Sequence, residues 1–215
     1  MEDFLADPQE IESRSMEIIE EILGDKTFAP GEAEIVKRII HTTADFDFAS
    51  ITVVSHGALE GARRALLRGG CRMTADTQMI VSGVDRALLE EFGARLDCFV
   101  GDEETRRMAR EAGITRSMAN IRRAAAVNKE GFYIIGNAPT ALYEVLRLAA
   151  EGHINPALVI GVPVGFVGAA ESKEMLMCSS LPYVSTRGRK GGSPVAVAAL
   201  HALLRSTLQR PPGGT

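Results

Sequence analysis

Phe132-Tyr133-Ile134-Ile135-Gly136-Asn137-Ala138-Pro139-Thr140 is the stretch from which the fold can be inferred. Its apolar run is short and bounded by a glycine turn, as in a strand buried on both faces. Pro139 then stands where a helix tolerates proline, in its first turn. The same succession recurs along the chain. Strands are expected at 71–75, 95–100, 132–135, 157–162 and 183–186, with helices at 77–91, 103–112, 117–128, 140–151, 169–177 and 194–204. Five strands alternating with helices imply a parallel sheet covered on both faces, with right-handed crossovers. Upstream, apolar spacing predicts extra N-terminal helices at 15–23, 32–43 and 57–68, two of them stopped by Gly24 and by Gly69-Gly70. Residues 1–12 read as a loosely held arm and 205–215 as a frayed tail of one domain spanning 1–215.

Bulk properties narrow the function. The net charge of −4 gives no global attraction to nucleic acid or an anionic membrane. No apolar run is long enough to span a bilayer, and the acidic start Met1-Glu2-Asp3 is unlike a targeting peptide. Cys71, Cys98 and Cys178 are scattered and odd in number, so they are expected to be reduced core residues of a cytoplasmic protein, with no metal site.

In open α/β sheets, ligands bind beyond the carboxyl ends of the strands. Three of the five expected strands lead into glycine-rich turns that open helices: Gly136–Thr140, Pro163-Val164-Gly165-Phe166-Val167-Gly168 and Arg187-Gly188-Arg189-Lys190-Gly191-Gly192-Ser193. Such turns are expected to aim backbone N–H groups at a ligand, and the cations of the last favour carboxylates or phosphates. Asn137 fits a helix cap ahead of Pro139, and Asp76 a cap of the helix after the first strand. Neither G-x-G-x-x-G nor a phosphate-binding loop is present, which argues against a nucleotide enzyme. No nucleophile motif occurs either.

A histidine remains. In the 32–43 helix Arg38 and His41 are three apart and share a face, an arrangement suited to an anionic ligand that also needs a proton moved. The alternative is a partly buried imidazole that complements the helix's last carbonyls. Asp45 either orients His41 or caps a turn. His201, among Ala and Leu in the last helix, reads as half-buried, and Glu171 and Lys173 as a solvated helix surface. Proton transfer without a cofactor suits an isomerase or lyase.

Five segments in order resemble the precorrin-8X methylmutase family: His41-Thr42-Thr43-Ala44-Asp45-Phe46-Asp47, Gly113-Ile114-Thr115-Arg116-Ser117-Met118, Gly136-Asn137-Ala138-Pro139-Thr140-Ala141-Leu142, Pro163–Lys173 and Gly188-Arg189-Lys190-Gly191-Gly192-Ser193. The resemblance implies a flavodoxin-like, doubly wound, three-layer α/β/α fold and a cytoplasmic homodimer. It also implies an enzyme with no external cofactor that moves a methyl group from C-11 to C-12 of a corrinoid. In that pattern His41 is the proton donor and acceptor, and Ser15, Arg38 and Arg116, with neighbouring Ser117, hold substrate. The long histidine motif looks most like cobalt-precorrin-8 members. A carboxylate-rich macrocycle needs several separate donors, for which Arg187, Arg189, Lys190 and the turn at Asn137 are further candidates. A non-catalytic corrinoid carrier would share every basic residue and differ only in not needing His41.

Overall fold

The computed structural model describes residues 6–209. Six strands are present, β1 (Thr52–Val54), β2 (Arg72–Ala75), β3 (Arg95–Asp97), β4 (Phe132–Ile135), β5 (Leu158–Gly161) and β6 (Tyr183–Thr186). The helices are α1 (Pro8–Leu23), α2 (Glu32–Thr43), α3 (Phe48–Ile51), α4 (Ala58–Leu67), α5 (Gln78–Gly83), α6 (Arg86–Glu90), α7 (Glu103–Ala112), α8 (Arg116–Ala125), α9 (Pro139–Ala150), α10 (Ala169–Met177) and α11 (Ser193–Gln209).

The strands form one sheet in the order β1-β6-β5-β4-β2-β3. The five expected strands are all parallel, and β3-β2-β4-β5-β6 is the flavodoxin-like winding, with its reversal between β2 and β4. The sixth strand corrects the five-stranded expectation. β1 is three residues long and runs antiparallel to β6, with Thr52 opposite Thr186 and Val54 opposite Val184. So short a segment has no period of its own; it is a strand because the outer edge of β6 needs hydrogen-bond partners.

Alternation along β4 sorts the core into two layers. Phe132 and Ile134 join the cluster beneath α2, α4, α5 and α11, while Tyr133 and Ile135 join the one beneath α8 and α9. All four side chains are fully buried, which is why the strand has no polar face.

Several boundaries differ from expectation: β3 ends at Asp97 rather than at 100 and α8 at Ala125 rather than at 128, and three further differences have a local cause. The helix anticipated at 77–91 is two, because Val84 is extended (φ −82°, ψ 130°) and Asp85 starts α6 by accepting from the Ala87 N–H at 2.9 Å. The arm is helical from Pro8, since Asp7 caps α1 by accepting from the Gln9 and Glu10 N–H groups. The tail is helical through Gln209, where Leu203, Leu204 and Thr207 are buried. Residues 1–5 and 210–215 of that arm and tail lie outside the described residues.

Candidate active site

α2 buries Ile35, Val36, Ile39 and Ile40 and packs against α11, an alanine-rich helix with Ala196, Ala198, Ala199 and Ala202 buried. With that stripe facing the core, Arg38 and His41 fall on the flank and are half-buried. The helix stops at Ala44, which is left-handed (φ 53°), and its N–H donates to the Ile40 carbonyl at 2.7 Å. His41 is thereby held in the final turn.

Arg38 and His41 line one cleft of about 330 Å³ with Met79, Ser193, Pro194 and His201. Met79 follows β2 and Ser193 follows β6, so the cleft opens beyond the carboxyl ends of the strands. Gly83 also borders it, where an added Cβ would come within 3.1 Å of Val197 Cγ2. Arg38 donates to Glu12 Oε1 at 2.7 Å, and Arg205 reaches the same oxygen at 3.4 Å. The Arg38 hydrogen bond, aided by the charges of Arg205 and His41, holds the Glu12 carboxyl below its usual range.

A larger hollow of about 420 Å³ lies against α8 and α9, lined by Arg122, Lys129, Arg147 and His153. Its two guanidiniums are already engaged. Arg122 donates to the buried Glu144 at 2.7 Å, and Arg147 to Glu144 and Glu151 at 2.6 Å. Among the described residues no group of His, Cys, Asp or Glu is arranged to hold a metal ion.

Several N–H groups of the glycine turns, expected to face a ligand, are taken by the protein itself. Asp76, 1% exposed, sits at the winding reversal and accepts from the N–H groups of Gly136 (3.1 Å), Asn137 (2.9 Å) and Ala138 (2.7 Å). It therefore serves the start of α9, while Thr77 caps α5. The cap of α9 is Ala138, and Asn137 contributes only its backbone. Burial pushes the Asp76 carboxyl up, and the three N–H groups offset this in part. Gly165 donates to the Arg189 carbonyl and Gly192 to that of Val162, so the two later turns brace each other. Gly136 fits against them because it lacks a side chain; a Cβ there would lie 2.8 Å from Ser193 Cα.

Lys190 donates to Asp45 Oδ2 at 2.5 Å and to Asp47 Oδ2 at 2.7 Å, tying the end of α2 to the last turn. These bonds hold the Asp45 carboxyl below its usual range. Asp45 also accepts from the Asp47 N–H at 3.0 Å, so it caps a turn. Beneath this clip lies Lys173, which is fully buried rather than solvated, its ammonium donating to the Lys190 carbonyl at 2.7 Å and to Thr186 Oγ1 at 3.2 Å. Burial without a carboxylate partner pushes its pKa down to about 8.

A pH dependence follows. Above pH 8 the folded chain releases this proton while the unfolded chain keeps it up to 10.5, so stability gained at Lys173 rises across that interval and is lost again as pH falls through 8. Melting wild type and Lys173→Met side by side should show wild type gaining about 3 kcal/mol on the variant between those limits. Parallel curves would mean that the ammonium is not desolvated.

The remaining candidates are dispersed. Ser15 lies on α1 and donates to the Ile11 carbonyl at 2.7 Å. Arg116 and Ser117 open α8, whose cap is Thr115, and Arg116 is exposed. Arg187 and Arg189 are exposed after β6, Arg189 lying 5.9 Å over the Phe166 ring. The cysteines are free, but Cys178 is exposed, against the expectation of a core residue. No local signal marked His201 for this site; only the packing of α11 on α2 carries it there.

Fold and cleft together define a class: a flavodoxin-like α/β protein with an imidazole and a guanidinium paired in a cleft at the carboxyl edge of its sheet. The family model for precorrin-8X methylmutase matches residues 10–206. The chain is 46% identical over 207 residues to a cobalt-precorrin-8 methylmutase of Salmonella typhimurium, covering 94% of this chain and 96% of that protein. It is 44% identical over 208 residues to one from Leptospira interrogans, covering 93% and 94%. The solved precorrin-8X methylmutase of Thermus thermophilus superposes with a TM-score of 0.84 at 37% identity, covering 93% of this chain and 98% of that one. The chain belongs to the precorrin-8X methylmutase family and is an isomerase.

Proposed function

We propose that the chain moves a methyl group from C-11 to C-12 of precorrin-8, with cobyrinic or hydrogenobyrinic acid as product and His41 as the proton donor and acceptor. The observation that carries this reading is the shared cleft of His41 and Arg38. Donation of a proton to a ring nitrogen makes the conjugated system electron-poor where the methyl lands. The methyl then migrates within the ring, and the same imidazole recovers the proton. Nothing is gained or lost overall, so no external cofactor enters the balance.

The cleft is at the small end of ligand sites, so a macrocycle extends beyond it. At the sheet edge Phe166 and Val167 are 86% and 89% exposed and offer apolar contact, with Arg187, Arg189 and Arg116 as cations for the peripheral carboxylates. The two relatives quoted above act, by name, on the cobalt form, which favours cobalt-precorrin-8. The working unit is a cytoplasmic homodimer of single-domain chains that takes a small-molecule substrate. Among the described residues no helix is long and apolar enough to cross a membrane.

Incubating purified protein with cobalt-precorrin-8 or metal-free precorrin-8X and following the visible spectrum tests this. The corrin spectrum should develop in both, faster with cobalt. An unchanged spectrum with both substrates would end the proposal.

A further inference from the structure

A second imidazole borders the cleft, and the reaction described above makes no use of it. His201 is on α11, half-buried, and lines the cleft with Arg38 and His41. Its Nε2 accepts the backbone N–H of Asp85 at 2.9 Å, in the break between α5 and α6. An accepting Nε2 has no proton, so the neutral ring carries its hydrogen on Nδ1. Protonating Nε2 would set two N–H groups against each other. Among the described residues Nδ1 has no protein partner, yet it is not among the sealed, unsatisfied polar atoms, so solvent reaches it, and the residue itself lines the cleft. The charged groups around the ring agree: burial, Arg205 and Arg38 disfavour its cation, opposed by Asp85 alone.

We propose that His201 is a substrate-binding residue whose Nδ1–H donates to a carboxylate of the macrocycle that Arg38 also holds. Arg38 spends one edge of its guanidinium on Glu12 and keeps other N–H groups for a ligand. A guanidinium and a neutral N–H donor then receive one carboxylate in the same cleft. This leaves the proton exchange to His41, because the Asp85 bond stops His201 from competing for the proton. The α5–α6 break thus has a purpose: it supplies the N–H that sets the His201 tautomer.

The proposal rests on the corrinoid reading above, and the test separates the two. Wild type, His201→Gln and His201→Phe are titrated with hydrogenobyrinic acid, whose absorption reports binding, and assayed on precorrin-8X. Glutamine keeps an oxygen able to accept from Asp85 but has no donor at the Nδ1 position. The Gln variant should melt within a few degrees of wild type, with Kd and KM raised about tenfold or more and kcat nearly unchanged. The Phe variant should show the same binding loss and a lower melting point. Nitrogen NMR of histidine-labelled wild type should find a protonated His201 Nδ1 that shifts when hydrogenobyrinic acid binds, a readout that needs no variant to fold. Wild-type Kd and KM in the Gln variant, or a proton on Nε2, overturn the assignment while leaving the corrinoid reading intact. A wild type that neither binds nor converts overturns both.

Discussion

His41→Ala is expected to slow conversion of (cobalt-)precorrin-8 by about 10²–10⁴-fold, the usual contribution of one general acid/base. Corrinoid affinity should change little, because in the proposal above the ring's carboxylates are met by cations other than His41, most of them on other elements. Arg38 lies on α2, Arg116 on α8, and Arg187 and Arg189 in the turn after β6. The variant should fold normally, since His41 lies outside the apolar stripe of α2 that packs against α11. Single-turnover rates and a binding titration with the product check both halves. Equal turnover by wild type and variant would remove the imidazole from the chemistry. A loss of rate matched by an equal loss of affinity would reduce it to a binding group.

Asp76→Ala should lower stability by about 3 kcal/mol or more, because it strips the shared acceptor from three N–H groups at the start of α9. An opposing effect has to be weighed. Burial disfavours this carboxylate, so removing it relieves some desolvation. The N–H groups decide the sign, since alanine offers none of the three an acceptor. For a chain of this length the melting point should fall by roughly 10 °C. Asp76→Asn should lie between, since its amide presents N–H groups to N–H groups. A melting point within two or so degrees of wild type for Asp76→Ala would show that the turn finds other partners.

Asp76 also occupies a place that ligands often take in this fold. At the winding reversal of a doubly wound sheet, backbone N–H groups are commonly free for a ligand's phosphate. Here the chain's own carboxylate takes those at Gly136, Asn137 and Ala138, and the cleft that Arg38 and His41 line is bounded by α2, α5 and α11. The glycine spacing announced a turn but could not say who accepts its hydrogen bonds. Asp76 and Gly136 are far apart in sequence and meet only because β2 pairs with β4. The burial of Lys173 has a similar origin. In sequence it is one cation beside Glu171, and only the docking of α10 on β6 buries it under the Lys190 turn.

What the sequence determined by itself was everything carried by local periodicity: five strands, the α2 stripe that leaves Arg38 and His41 on one flank, and the turns that separate them. Those features follow from which side chains avoid water along a single element, and that information is local. Tertiary structure alone decided the antiparallel β1, the N–H groups taken by Asp76, the burial of Lys173 and the arrival of His201 in the cleft that His41 lines. Each depends on a partner remote in the chain. A hydrogen bond or a buried charge is defined by both of its members, and only the folded chain brings them together.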